Sequence, residues 1–213
     1  MIVVVGDPRW TRSDTGPEVA GAPAAIALGA RAAGATVQVV GKVGLDEAAE
    51  AVLLGLAARG VGHVAVLRDP SRPTRIELRP ADPDLGMDDD PGTVDQSAPP
   101  ADASLDAADV DLALRYLPEY QVIVVAERLG EDTLRVVSDA ARWSGAALVV
   151  VGRVDDLTGL PADATVFAPP DDGDPDGAFA AMVGAYAAGL DRGEDPRTAF
   201  AAASAAVGST AAE

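Results

Sequence analysis

The sequence predicts an α/β protein built on a mostly parallel sheet with helices on both faces. Three observations predict it. Short β-branched runs alternate with alanine-rich, helix-compatible stretches along nearly the whole chain. Glycines close the helical stretches just before the next strand. The first run, Ile2 to Val5, is apolar at every position, as in a strand buried on both faces. With 213 residues, the chain suits a single domain spanning 1–213.

Ile2 to Val5 is the first predicted strand, closed by Gly6. Pro17 to Ala33 reads as a helix that ends at Gly34, and Thr36 to Val40 as the second strand. Asp46 is placed to cap a helix reaching Arg59, with Glu47 and Glu50 favourable in its first turns and Gly60 at its end. His63 to Leu67 and Thr74 to Leu78 read as two strands joined by a turn or hairpin at Asp69–Pro73. Residues 80–104 form an acidic, proline-rich exposed loop, because they hold little that could enter a core. Beyond it come a helix near Ala107–Leu117, a strand Gln121–Ala126, a helix Glu131–Ser144 and a strand Ala146–Val151. A short strand, Ala164–Phe167, precedes two closing helices, Asp176–Asp191 and Pro196–Val207.

Composition excludes several functions. No cysteine is present, so thiol nucleophiles and thiolate metal sites are excluded. His63 is the only histidine, which excludes multi-histidine metal sites and argues against a Ser-His-Asp triad. The net charge of −18 repels nucleic acid and anionic membrane surfaces. No apolar run approaches the roughly 20 residues that span a bilayer, and the N-terminal run lacks the basic start of a signal peptide. A cytoplasmic location is the expectation. Neither a Walker phosphate loop nor a nucleophile elbow occurs. The acids Asp88–Asp90 and the cluster Asp171, Asp172, Asp174 and Asp176 read as solvated charge, and no metal site is expected.

Two stretches resemble the ribokinase-like sugar kinases of the PfkB family. One runs from Gly21 and the helix after it, through Gly34-Ala35-Thr36-Val37, to Gly41-Lys42-Val43-Gly44-Leu45-Asp46, similar to the family's Gly-x-Val-Gly-x-Asp motif. The other, Asp174-Pro175-Asp176-Gly177-Ala178-Phe179, resembles the family's Gly-Ala-Gly-Asp-x-Phe motif. The resemblance implies a three-layer ribokinase-like sandwich, shortened in its C-terminal half. It implies phosphoryl transfer to a sugar hydroxyl, which needs a base, N–H groups at a helix start to hold the phosphoryl charge, and a nucleotide held in line.

Residue by residue, the resemblance is incomplete. Aligned through Ala178-Phe179, the family's catalytic aspartate falls on Gly177, and its glycine-rich turn on Asp174, Pro175 and Asp176. The sugar-contacting asparagine falls on Ala25, and a chain without asparagine lacks the family's Asn-x-x-Glu motif. The segment between Val151 and Phe167 is too short for the usual nucleotide loop. Residues 6–21 are short for a substrate lid, and 63–79 are the candidate remnant of one. The expectation is therefore a non-catalytic relative that binds a small polar ligand or acts by self-association as a homodimer. The candidate ligand-binding set is Asp7, Trp10, Gly21, Asp46 and Gly177. Trp10 belongs to an arginine–tryptophan group just after the first strand, where parallel sheets bind ligands. No cofactor is expected on this reading. The alternative is an active kinase with a rebuilt site, using ATP and magnesium, in which Asp176 is the base after a one-residue shift.

Overall fold

The computed structural model describes residues 1–13, 16–77, 102–117, 119–157, 159–171, 173–174 and 176–210. Most of the acidic 80–104 segment, together with Asp88–Asp90, Thr158, Asp172 and Pro175, lies outside the described residues.

The chain opens with β1 (Ile2–Val5), followed by a hairpin of β2 (Arg9–Ser13) and β3 (Gly16–Ala20). Then come α1 (Ala22–Ala32), β4 (Val37–Gly44), α2 (Glu47–Ala58) and β5 (Gly62–Asp69). The second half holds α3 (Ala107–Tyr116), β6 (Val122–Val125), α4 (Glu131–Ser144), β7 (Ala147–Val151), β8 (Thr165–Phe167), α5 (Ala178–Asp191) and α6 (Pro196–Thr210). Six strands form one parallel sheet in the order β5-β4-β1-β6-β7-β8. The order reverses between β1 and β6, because the chain first moves outward through β4 and β5 and then crosses back. Such a reversal opens a crevice at the carboxyl ends of the strands.

Alternation along the strands divides the core into two layers. Ile2 and Val4 join Val39, Val124 and Val149 under α1, α2, α5 and α6. Val3 and Val5 join Ile123, Val125 and Val150 under α3 and α4. All four residues of β1 are fully buried, as its uninterrupted apolar run requires. The result is the expected three-layer α/β sandwich with a mostly parallel sheet. The expected succession of helix, strand, helix, strand over 20–69 is also present, with β4 and β5 paired in parallel.

Helices α1 and α5 cross at unusually close range. A Cβ on Gly184 would lie 2.4 Å from the Ala30 nitrogen and 2.5 Å from the Ile26 oxygen. A Cβ on Gly29 would lie 2.8 Å from the Ala181 Cα. Glycine at both positions lets the backbones touch, so the two helices behave as one slab.

Two expectations need correction. Residues 17–20 are the second strand of a hairpin rather than the start of a helix, and α1 begins only at Ala22. The cause is pairing with a partner distant from the helix: Arg9 to Ala20, Trp10 to Val19 and Thr11 to Glu18. Nor do residues 74–77 form a strand beside β5. Ile76 makes a single parallel bridge to Trp10, so this segment borders the hairpin instead. No described helix is long and apolar enough to cross a membrane.

Candidate functional site

The carboxyl end of β1 leads into Gly6, whose φ of 153° brings the backbone against Pro23; a Cβ there would meet Pro23 Cγ at 2.6 Å. Asp7 follows and turns inward. Its Oδ1 accepts from the Lys42 amide of β4 at 2.8 Å, and its Oδ2 from the Leu105 amide at 3.1 Å. Its own N–H donates to Glu127 Oε1 at 2.6 Å. Glu127 stands just past β6, so these two acids straddle the reversal point. Burial, and next the Glu127 charge, push the Asp7 carboxyl up to about 6. Arginines balance the pair. Arg9 donates to Glu127 Oε2 at 2.9 Å and lies 3.8 Å from Glu77, while Arg75 lies 3.8 Å from Glu127. Lys42 pairs with Asp109 at 2.5 Å nearby.

Beside this network lies a cleft of about 590 Å³. One wall is the base of the hairpin and the start of α1, including Arg9, Val19, Gly21 and Ala25; the other is the start of α5, with Asp174, Asp176, Gly177 and Phe179. Gly21 and Gly177 occupy the position before the first turn of α1 and α5, with φ of 89° and 69°. Both have a positive φ, which glycine adopts without strain.

Asp174 decides the chemistry of the α5 wall. Its Oδ1 accepts from the Phe179 N–H at 2.9 Å and its Oδ2 from the Ala180 N–H at 2.8 Å. These are the orphan donors of a helix start, the groups that would receive a phosphate. A carboxylate of the chain itself fills them. The expectation that this helix begins at Asp176 is corrected: the helix starts at Ala178 and the cap is supplied from Asp174. Asp176 is exposed and lines the cleft. No group of three or more metal-ligating side chains is gathered among the described residues.

The structure separates the candidate residues read from the sequence. Gly21, Gly177, Ala25 and Asp176 line the cleft together. Asp7 is 3% exposed with both oxygens engaged, and is a brace behind the cleft rather than part of its lining. Trp10 is half-buried in β2 and packs on the core, so it too lies outside the lining. Asp46 caps α2, as its position before Glu47 implied. Its Oδ1 accepts from Ala49 N at 2.8 Å and Thr74 Oγ1 at 2.6 Å, and its Oδ2 from Thr74 N at 2.7 Å. Partial desolvation works against it, but the Thr74 and Ala49 hydrogen bonds hold the Asp46 carboxyl below the usual range. Glu127 and Thr74 escaped the sequence reading. The available signal for Glu127 was an acid directly after a buried strand, which matters only once β6 is known to neighbour β1.

No known family model and no curated protein matches the chain in sequence. Solved structures do match in shape. A candidate ribokinase II from E. coli in its apo form superposes with a TM-score of 0.64 at 15% identity, over 95% of this chain and 90% of that one. A PfkB protein from Polaromonas sp. gives 0.62 at 14% identity, covering 95% and 92%. An Arabidopsis thaliana ribokinase complexed with ribose and ATP gives 0.60 at 14% identity, covering 97% and 90%. At 213 residues the chain is short beside these structures. The parallel six-stranded sheet, its reversal point and these superpositions together give the protein the ribokinase-like α/β fold.

Proposed function

We propose that the protein is a non-catalytic ribokinase-like binding protein whose strand-end cleft takes a small, uncharged polar ligand of the sugar or nucleoside type. One observation carries the reading: the Asp174 carboxylate on the Phe179 and Ala180 amides. Phosphoryl transfer needs N–H donors at a helix start to hold an anion, and two of the first-turn donors of α5 are taken. A fixed carboxylate removes them and adds repulsion toward any phosphate that approaches. ATP with magnesium does not fit a wall so arranged. The remaining lining combines Arg9 and Glu77 with Val19, Ile26, Val151 and Phe179, a mixture suited to a small ligand with an apolar face and hydroxyls.

The second reading is an active kinase in which Asp176 takes the hydroxyl proton. Its support is the place of Asp176, exposed in the cleft next to Gly177. The experiment is a panel of neutral sugars and nucleosides, each tested for a rise in melting temperature and, with ATP and magnesium, for phosphorylated product. Stabilisation by a neutral compound with no product supports binding without catalysis; a ligand at 100 times its Kd should add about 2.7 kcal/mol. Turnover that Asp176→Asn abolishes would replace the first reading with the second.

A further inference from the structure

Asp176 is followed directly by Gly177, the one Asp-Gly junction among the described residues. The junction lies on the α5 wall of the cleft. Asp176 is exposed there and engages no partner among the described residues. The space beside Gly177 is open, since a Cβ built on it would find nothing within 4 Å. Its φ is 69°, and its N–H gives one hydrogen bond, to the Asp174 carbonyl at 3.1 Å within the same turn. No partner holds the Asp176 carboxyl away from the Gly177 nitrogen, and glycine has no side chain to shield that nitrogen.

Other acids differ. Asp174 is followed by a proline, whose nitrogen carries no hydrogen, and both its oxygens are held by amides. Asp171 pairs with Arg153. Asp132 and Asp139 are exposed on α4, but each pairs with an arginine and sits in a hydrogen-bonded helix.

We propose that Asp176–Gly177 is a site of spontaneous isoaspartate formation, and that conversion releases the cap on α5. The Gly177 nitrogen attacks the side-chain carboxyl carbon of Asp176 and closes a succinimide ring. A C–N bond forms, a C–O bond breaks, and the amide proton leaves with that oxygen as water. The ring then takes up one water. Addition at the side-chain carbonyl restores aspartate. Addition at the main-chain carbonyl breaks its bond to nitrogen, and the chain then runs through the side chain. Mass and charge end unchanged, and the main chain is longer by one methylene. That methylene falls between Asp174 and Phe179, inside the short span across which one carboxylate reaches two amides. The lengthened link cannot keep both bonds, so the Phe179 and Ala180 amides open to an anion entering the cleft.

The test ages the folded full-length chain in warm, mildly acidic buffer beside the same chain in urea and Asp176→Glu, whose ring would have six members and close far more slowly. Isoaspartyl methyltransferase labelling counts the product, and peptide mapping by electron-transfer fragmentation locates it. Isoaspartate should accumulate at 176 ahead of every other described aspartate, with a succinimide one water lighter seen on the way. Aged wild type should melt about 2–8 °C lower than fresh protein, the loss expected of a broken cap at this chain length. Sulfate should raise its melting temperature more than that of fresh protein. A folded chain that forms none at 176, while the chain in urea does, would overturn the proposal by showing that the fold protects the junction. Labelling that persists unchanged in Asp176→Glu would overturn it by placing the product elsewhere. Conversion at 176 with unaltered melting would break the link to the cap.

Discussion

Replacing Asp7 by asparagine should lower stability and also change how stability depends on pH. Asp7 is buried, and its carboxyl is pushed from 3.8 up to about 6 in the folded protein. The folded state therefore holds this proton more tightly than the unfolded chain. The stabilisation that results is complete below pH 3.8 and is lost as pH rises through 6. Its full size is about 3 kcal/mol, from roughly two pKa units at 1.36 kcal/mol each. The acid end is awkward to reach, because the isoelectric point is about 4.2 and solubility falls there. Between pH 5 and 8 the linkage relation still leaves about 1.4 kcal/mol of decline from this one group. Asparagine carries no such proton. One of the two amides that Asp7 accepts from, Lys42 or Leu105, would then face an NH₂ group, a constant cost of about 1–3 kcal/mol. Urea denaturation of both proteins at pH 5, 6, 7 and 8 measures the difference directly. The gap between variant and wild type should move by about 1.4 kcal/mol in the variant's favour from pH 5 to 8. Parallel profiles would refute the reasoning, since they would mean that Asp7 binds its proton equally well folded and unfolded.

Asp174→Ala should lower stability by about 1–2 kcal/mol, because two charge-assisted cap bonds are lost, and melting should fall by about 2–4 °C per kcal/mol at this chain length. Sulfate should then raise the melting temperature of the variant more than that of the wild type, since the Phe179 and Ala180 amides are freed; an equal response in both would contradict the occupied helix start. Gly184→Ala should cost about 3 kcal/mol or more, or prevent accumulation, because its Cβ meets the α1 backbone at 2.4 Å. An alanine variant that melts like the wild type would show that the two helices can part. Asp46→Ala should cost about 2–3 kcal/mol, read by urea denaturation, because the α2 cap and both Thr74 bonds go together.

Much of the fold was legible because it depends on local signals. Glu131–Ser144 is a helix over the span its sequence indicates, ending at Gly145 in the left-handed region. Asp46 caps α2 by the rule that places a short acceptor before the first turn. The hairpin was not legible, because Pro17 and Glu18 suit the first turn of a helix that runs on into the alanine-rich stretch, and residues 16–20 become a strand only through pairing with residues 9–13. The same holds for Ile76, whose one bridge is to Trp10. At the cleft, glycines Gly21 and Gly177 could be located from their motifs, whereas the reach of Asp174 around a turn to amides five and six residues on could not. Glu127 depends on which strands are neighbours, and composition does not encode that order.

The close crossing of α1 and α5 constrains the order in which the molecule assembles. Gly29 and Gly184 lie about 150 residues apart in the sequence, yet each helix supplies one wall of the cleft and each needs the other's backbone against it. Closing so long a loop carries an entropic cost that no earlier contact along α1 repays in full. The first half of the chain can thus form its strands and helices while the cleft still has one wall. Ligand recognition then arrives as a late and cooperative event, when α5 docks. A ligand present during refolding should stabilise this final step and leave the earlier ones at their own pace.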